Sequence, residues 1–150
     1  MFTKETFDVF IKYEKHVHDK HDKSKAGYEN FLCNSPLYDA SCQEDIKLPY
    51  PQDNIDRHRK LKNEGIFPKS LGSYHMIHRI DGEVAIVGVL DFLDSSLSSV
   101  YLFYDPKWEF LSPGTVSALR EIEYMKKVRH LTPDPEAFKW YVMGLYYQEC

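Results

Sequence analysis

Residues 72–93 constrain the fold of this chain more tightly than any other stretch. From Ser73 to Ile80 the side chains alternate, with Tyr74, Met76, His78 and Ile80 on one side and Ser73, His75, Ile77 and Arg79 on the other, the period-two pattern of a strand. Asp81 and Gly82 follow, a pair suited to the two-residue turn whose twist matches that of its flanking strands. The chain then runs apolar from Val84 to Leu90 without alternating. A second strand over residues 83–93 therefore belongs in the middle of a sheet, covered on both faces.

Serines and Asp94 break that strand, and residues 98–104, rich in β-branched and aromatic side chains, predict a third, so a meander is the simplest topology. Asp105 and Pro106 end it. Ser112 then stands at an N-cap position and Pro113 at the first helical position, where its missing N–H costs nothing. Ala118, Leu119, Ile122 and Met125 are expected to form the inward face of this helix, which Thr132, Pro133 and Pro135 stop. Residues 138–147 read as a further strand with Gly144 at a bulge. Upstream, Phe7, Phe10, Ile11 and Val17 fall near helical spacing over residues 5–18, and Ser24 caps a short helix carrying Tyr28, Phe31 and Leu32. Residues 37–70, with several prolines and no sustained period, read as a surface connection with one helical turn near 57–64.

The 150 residues, 43% hydrophobic and 15% aromatic, suffice for one domain, 1–150, with its own core. No apolar window is long enough to span a membrane, and the opening MFTKETFDVF lacks a signal peptide's apolar core, so no membrane association and a cytoplasmic or nuclear location are expected. Cys33, Cys42 and Cys150 have no metal-ligand spacing, and their odd number argues for free thiols. A net charge of -4 excludes gripping nucleic acid by bulk electrostatics, so any RNA contact must be local. The basic stretch Arg57, Arg59, Lys60 and Lys62, with Lys69, is either a solvated loop or a phosphate patch.

Several residues carry chemistry. A helix that opens Ser112-Pro113-Gly114-Thr115 offers unpartnered N–H groups and hydroxyls to an anion, or is simply capped. Asp91, in an otherwise apolar strand, is either functional or matched to a partner such as Arg120. Tyr101 and Tyr104 fall on opposite sides of their strand, so at most one lines a site while the other packs in the core. Ser98 and Ser99 are placed to donate to an acyl or ribose oxygen, or are solvated at a strand edge. His75 is a candidate general base, or a satisfied surface histidine. Arg120 suits a phosphate or a carboxylate, or an ion pair with Asp91 or Glu123. Trp140 and Tyr141, with Tyr146 and Tyr147, are enough aromatic surface to stack an adenine, or are core. His16, His18 and His21 do not share one helical face, and no metal site is expected.

The ordered strings FLCNSPL, GSYH, IDG, VGVLD, SSVYLFYDP and LSPGTVSALREI resemble the C-terminal domain of arginyl-tRNA-protein transferases, over roughly residues 6–150. Five such strings in register between residues 72 and 120 make the resemblance specific. It implies an α/β (α+β) fold like that of GNAT acetyltransferases, with a mixed, mostly antiparallel sheet flanked by helices. It also implies aminoacyl transfer: arginine from arginyl-tRNA, as co-substrate and without a further cofactor, to the N-terminal α-amine of proteins beginning with Asp, Glu or oxidised Cys. Such proteins are thereby marked for the N-degron pathway. Within it, His75, Asp91 and Tyr104 are the expected catalytic set. Ser98, Ser99, Tyr101, Ser112, Gly114, Thr115, Arg120 and Tyr141 are the expected substrate contacts.

Members of that family generally carry an N-terminal cysteine-rich domain and a basic segment beyond the motif that here reads Tyr141-Val142-Met143-Gly144. The 150-residue chain is expected to lack both. The alternative is a catalytically silent truncated paralogue that binds full-length enzyme or acidic N-termini. An acetyltransferase using coenzyme A is disfavoured, because residues 110–114 hold one glycine where a pyrophosphate loop needs several.

Overall fold

The computed structural model describes residues 2–34, 72–131 and 136–144. Helix α1 (Lys4–His18) opens at Thr3, whose hydroxyl accepts the Thr6 N–H at 3.1 Å, and closes at Asp19 in the left-handed region. A short helix α2 (Lys25–Tyr28) follows. Its Ser24 cap accepts the Gly27 N–H at 3.0 Å, and it runs into a π-helical turn, Glu29–Cys33. The expected connection at 37–70 and its basic stretch lie outside the described residues.

The hairpin forms as the sequence dictates. Strands β1 (Gly72–Ile80) and β2 (Glu83–Phe92) pair antiparallel around Asp81 and Gly82, both at positive φ (51° and 85°), the mirror-image turn. Strand β3 (Ser96–Tyr104) pairs antiparallel with β2 and carries a bulge. Val89 faces Tyr101 and Leu90 faces Ser99, so Val100 has no opposite number. A 3-10 turn (Pro106–Leu111) leads into helix α3 (Pro113–Leu131), which crosses over to strand β4 (Trp140–Val142). The sheet order is β1-β2-β3-β4, and β4 runs parallel to β3. The last strand is shorter than residues 138–147. Gly144 lies beyond it at positive φ, and residues 145–150 are outside the described set.

The mixed α/β fold, mostly antiparallel with helices on both sides, thus matches the expected class. One core packs Val9 and Phe10 of α1, Tyr28 and Leu32 against Val84, Val87, Val89 and Phe103. The other packs Met125 and Val128 of α3 against Leu90, Phe92, Leu97 and Phe138. Central β2 is buried along nearly its whole length because it contributes to both. Each fully enclosed aromatic such as Phe10 contributes about 1.5–3 kcal/mol relative to an exposed one.

One expectation is overturned. The inward stripe of α3 is Pro113, Ser117, Glu121, Met125 and Val128, whereas Ala118 and Ile122 are half-buried and Leu119 is exposed. The helix rotates because β2 has no side chain at Gly88. A Cβ there would lie 2.8 Å from Glu121 Oε1 and 3.1 Å from Ser117 Oγ. Two polar side chains one turn apart fill the space that the glycine leaves.

Candidate functional site

The predicted residues divide between the two faces of the sheet. Leu90 and Phe92 point into the α3 core, so Asp91 between them points to the α1 side, in register with Ser73 and Ser98. Its carboxylate accepts the Ser73 hydroxyl at 2.5 Å. Of the alternatives for Arg120, the ion pair with Asp91 does not form and the one with Glu123 does, at 2.9 Å, the exposed guanidinium lying on the opposite layer.

His75 lies on the α1 side and bonds the Leu32 carbonyl at 2.8 Å through Nε2, which makes Nε2 the protonated nitrogen. Nδ1 is buried and has no hydrogen-bond partner among the described residues. Burial pushes this imidazole below its ordinary pKa, against the opposing pull of the Leu32 carbonyl, so the neutral form is favoured. It ties β1 to the segment that carries FLC.

Tyr101 donates to Glu14 Oε1 at 2.9 Å, and Tyr104 donates to Glu109 at 3.2 Å. The two were expected on opposite sides. In the structure both meet the edge of Tyr13, at 6.4 and 5.0 Å between ring centroids, because Tyr104 ends its strand where the chain turns toward the 3-10 segment. Burial raises both phenols, and the neighbouring carboxylates, Glu14 for Tyr101 and Glu109 for Tyr104, raise them further. Glu14 is itself buried, with the Lys23 ammonium at 2.8 Å. The three histidines lie beside different carboxylates: His16 by Glu109, His18 by Glu14 and His21 by Asp19.

On the α3 side the strands form a fork. β3 and β4 pair only where Ser96, Leu97 and Ser98 meet Trp140, Tyr141 and Val142, and β3 runs on to Tyr104 with no further β4 partner among the described residues. The opening of α3 lies over this part of β3, with a Cβ at Gly114 falling 3.7 Å from Leu102. Ser112 precedes the helix as expected, and its carbonyl accepts the Val116 N–H at 3.1 Å. Its backbone is left-handed (φ 53°) rather than extended, because it also closes the preceding turn onto Glu109. Gly114 and Thr115 are exposed.

Tyr141 reaches inward from the fork and donates to Glu121 Oε2 at 2.7 Å, with the Ser99 hydroxyl beside its phenol. Ser117 donates to Glu121 Oε1 at 2.6 Å and lies 3.5 Å from His78 Nε2. Burial lowers the pKa of His78, and Glu121 works against that. Sequence reasoning missed Glu14, Glu121, Ser117 and His78. The signal for Ser117 and Glu121 was their spacing of four on the helix together with a glycine inside an apolar strand.

Taken together, a mixed sheet whose edge strands pair in parallel for three residues, a helix opening over that edge, and the Ser99 and Tyr141 hydroxyls beside it define a mixed α/β domain. The family described as "Arginine-tRNA-protein transferase, C terminus" matches residues 5–150, and the chain belongs to it. "Arginyl-tRNA--protein transferase 1" of Dictyostelium discoideum is 31% identical over 208 aligned positions, covering 99% of this chain and 33% of the relative. The Arabidopsis thaliana protein of the same name is 34% identical over 153, covering 99% and 21%. An "Aspartate/glutamate leucyltransferase" of Campylobacter jejuni is 36% identical over 55, covering 37% of this chain and 23% of its own length. The chain therefore spans a third or less of these relatives.

Proposed function

We propose that this chain is the transferring domain of an arginyl-tRNA-protein transferase. It moves arginine from arginyl-tRNA to the N-terminal α-amine of proteins beginning with Asp, Glu or oxidised Cys, which commits them to the N-degron pathway in the cytoplasm or nucleus. The family match from residue 5 to 150 carries this reading, because it embraces both layers of helices and every strand of the sheet.

The chemistry asks little of the protein beyond placement. An aminoacyl ester is already activated, and an α-amine with a pKa of about 8 is partly neutral at physiological pH. Alignment and modest acid–base help therefore account for the acceleration. The fork suits the aminoacyl end. The β3 edge around the Val100 bulge suits a tetrahedral oxyanion through its backbone donors, and Ser99 adds a hydroxyl. The first N–H groups of α3, with Ser112, Gly114 and Thr115, suit the terminal phosphate, and Arg120 on the same helix suits a further one.

The test pairs donors with acceptors. Arginyl-tRNA and leucyl-tRNA are each offered with peptides beginning Asp or Ala. Arginine should be joined to the Asp peptide at least tenfold faster than in any other combination. Peptide binding without transfer would leave the silent paralogue standing instead.

A further inference from the structure

We propose that Glu121 is the inner end of a proton relay reaching the fork through Tyr141 and Ser99, and that it acts as a positioning residue for aminoacyl transfer. The proposal rests on the reading of the fork as the transfer site. Glu121 has no exposed surface, and no cation among the described residues forms an ion pair with it. A buried carboxylate in that state costs several kcal/mol against an apolar side chain of similar size. Packing alone does not require it, because Leu90, Leu97 and Met125 on the same face would accommodate a leucine or methionine.

Two separate elements are nonetheless shaped around this carboxylate. β2 carries no side chain at Gly88, where a Cβ would collide with Glu121 Oε1 at 2.8 Å. Ser117 and Tyr141, from α3 and β4, each give it a short hydroxyl bond, 2.6 and 2.7 Å. Tyr141 is also the residue paired with Leu97 at the last parallel step but one before the strands separate, and Ser99 follows that paired stretch. The Ser99 hydroxyl stands beside the Tyr141 phenol, and that phenol bonds Glu121 at 2.7 Å, so the three oxygens follow one another from the fork to an enclosed carboxylate. The titratable and charged groups around it are His78 from β1, Tyr141 from β4 and Arg120 on its own helix. The neighbours from β2 and β3, Gly88, Leu90 and Ser99, carry no charge.

The neutral α-amine attacks the ester carbon and a C–N bond forms. The amine proton passes to the Ser99 oxygen while the Ser99 proton moves to Tyr141 and that of Tyr141 to Glu121 Oε2. The intermediate then collapses, the C–O bond to the ribose breaks, and the proton returns along the same line to the ribose oxygen. The products are an amide and an uncharged tRNA hydroxyl, and the protein is left as it began. Glu121 touches no substrate. It fixes the phenol of Tyr141 and holds the proton between the two halves of the reaction.

The test uses the full 150-residue chain and steady-state transfer from arginyl-tRNA to a peptide beginning with Asp. Glu121→Gln keeps the shape of the side chain, and Tyr141→Phe removes the hydroxyl between Ser99 and Glu121 while Ser117 still bonds the carboxylate. Each should lower kcat about 100-fold while KM for arginyl-tRNA stays within about twofold. The double variant should be no slower than either single one, because both interrupt one path. Two results would overturn the relay: single variants that keep kcat within about threefold, or a double variant whose loss is the product of the two. If the wild-type chain transfers nothing, the reading of the fork falls and the relay falls with it. If wild type and both variants transfer alike, the relay alone falls.

Discussion

A carboxylate enclosed by protein persists only where its neighbours offset its charge, and Glu14 is held by the hydroxyl of Tyr101 and the ammonium of Lys23. Burial pushes its pKa up, but the hydrogen bonds from Lys23 and Tyr101 outweigh that, and the carboxyl ends below its ordinary 4.5. A group whose folded pKa is depressed stabilises the fold fully above its unfolded value and loses that contribution as pH falls through the folded one. Tyr101→Phe should therefore cost about 1.5–3 kcal/mol at pH 7, measured by urea unfolding. The loss should shrink as the medium is taken below the carboxylate range, where Glu14 is protonated in both states. An equal loss at neutral and strongly acid pH would contradict this. In the sequence Glu14 is one charge among many on an amphipathic helix. Its role is invisible there because Tyr101 and Lys23 reach it from other elements.

Local chemistry explains which elements the sequence disclosed. The turn at Asp81 and Gly82 depends on two adjacent residues and their positive φ, so the hairpin could be read directly. The cap at Ser24 likewise depends on near neighbours. The inward face of α3 was misread because apolar spacing assumes an apolar partner, and here the partner is the gap at Gly88. The parallel direction of β4 was not legible either, since it follows from the α3 crossover rather than from any property of Trp140 to Val142. The glycine is the residue on which the rotated helix turns. Gly88→Ala should destabilise the domain by about 1–3 kcal/mol, read from the urea midpoint. A change below about 0.5 kcal/mol would mean that the carboxylate moves aside freely and that the glycine does not set the face of the helix.

On the scale of the whole molecule, two layers of helix enclose a sheet whose fourth strand joins for only three residues, and that short joint makes the fork. The eleven candidate residues did not gather into one cluster. Asp91, Ser98, His75 and Tyr101 fall on the α1 side, whereas Ser99 and Tyr141 fall on the α3 side, with Ser112, Gly114 and Thr115 where that helix opens. Short ordered strings along the chain pointed to the family, but they could not tell which face each side chain takes. The bulge at Val100 changes that assignment in mid-strand: Ser99 pairs with Leu90 and Tyr101 with Val89, on opposite faces.

The central claim, that the fork receives the aminoacyl end of the tRNA, is tested most directly by locating the ligand. Arginyl-adenosine joined through an amide in place of the ester cannot react, and its addition can be followed through the backbone amide resonances of the isotopically labelled chain. The account predicts saturable shifts at Ser98, Ser99, Val100 and Tyr101 and at Gly114, Thr115 and Val116. Shifts confined to the outer strand β1, with the amides of the fork unmoved at saturation, would contradict it.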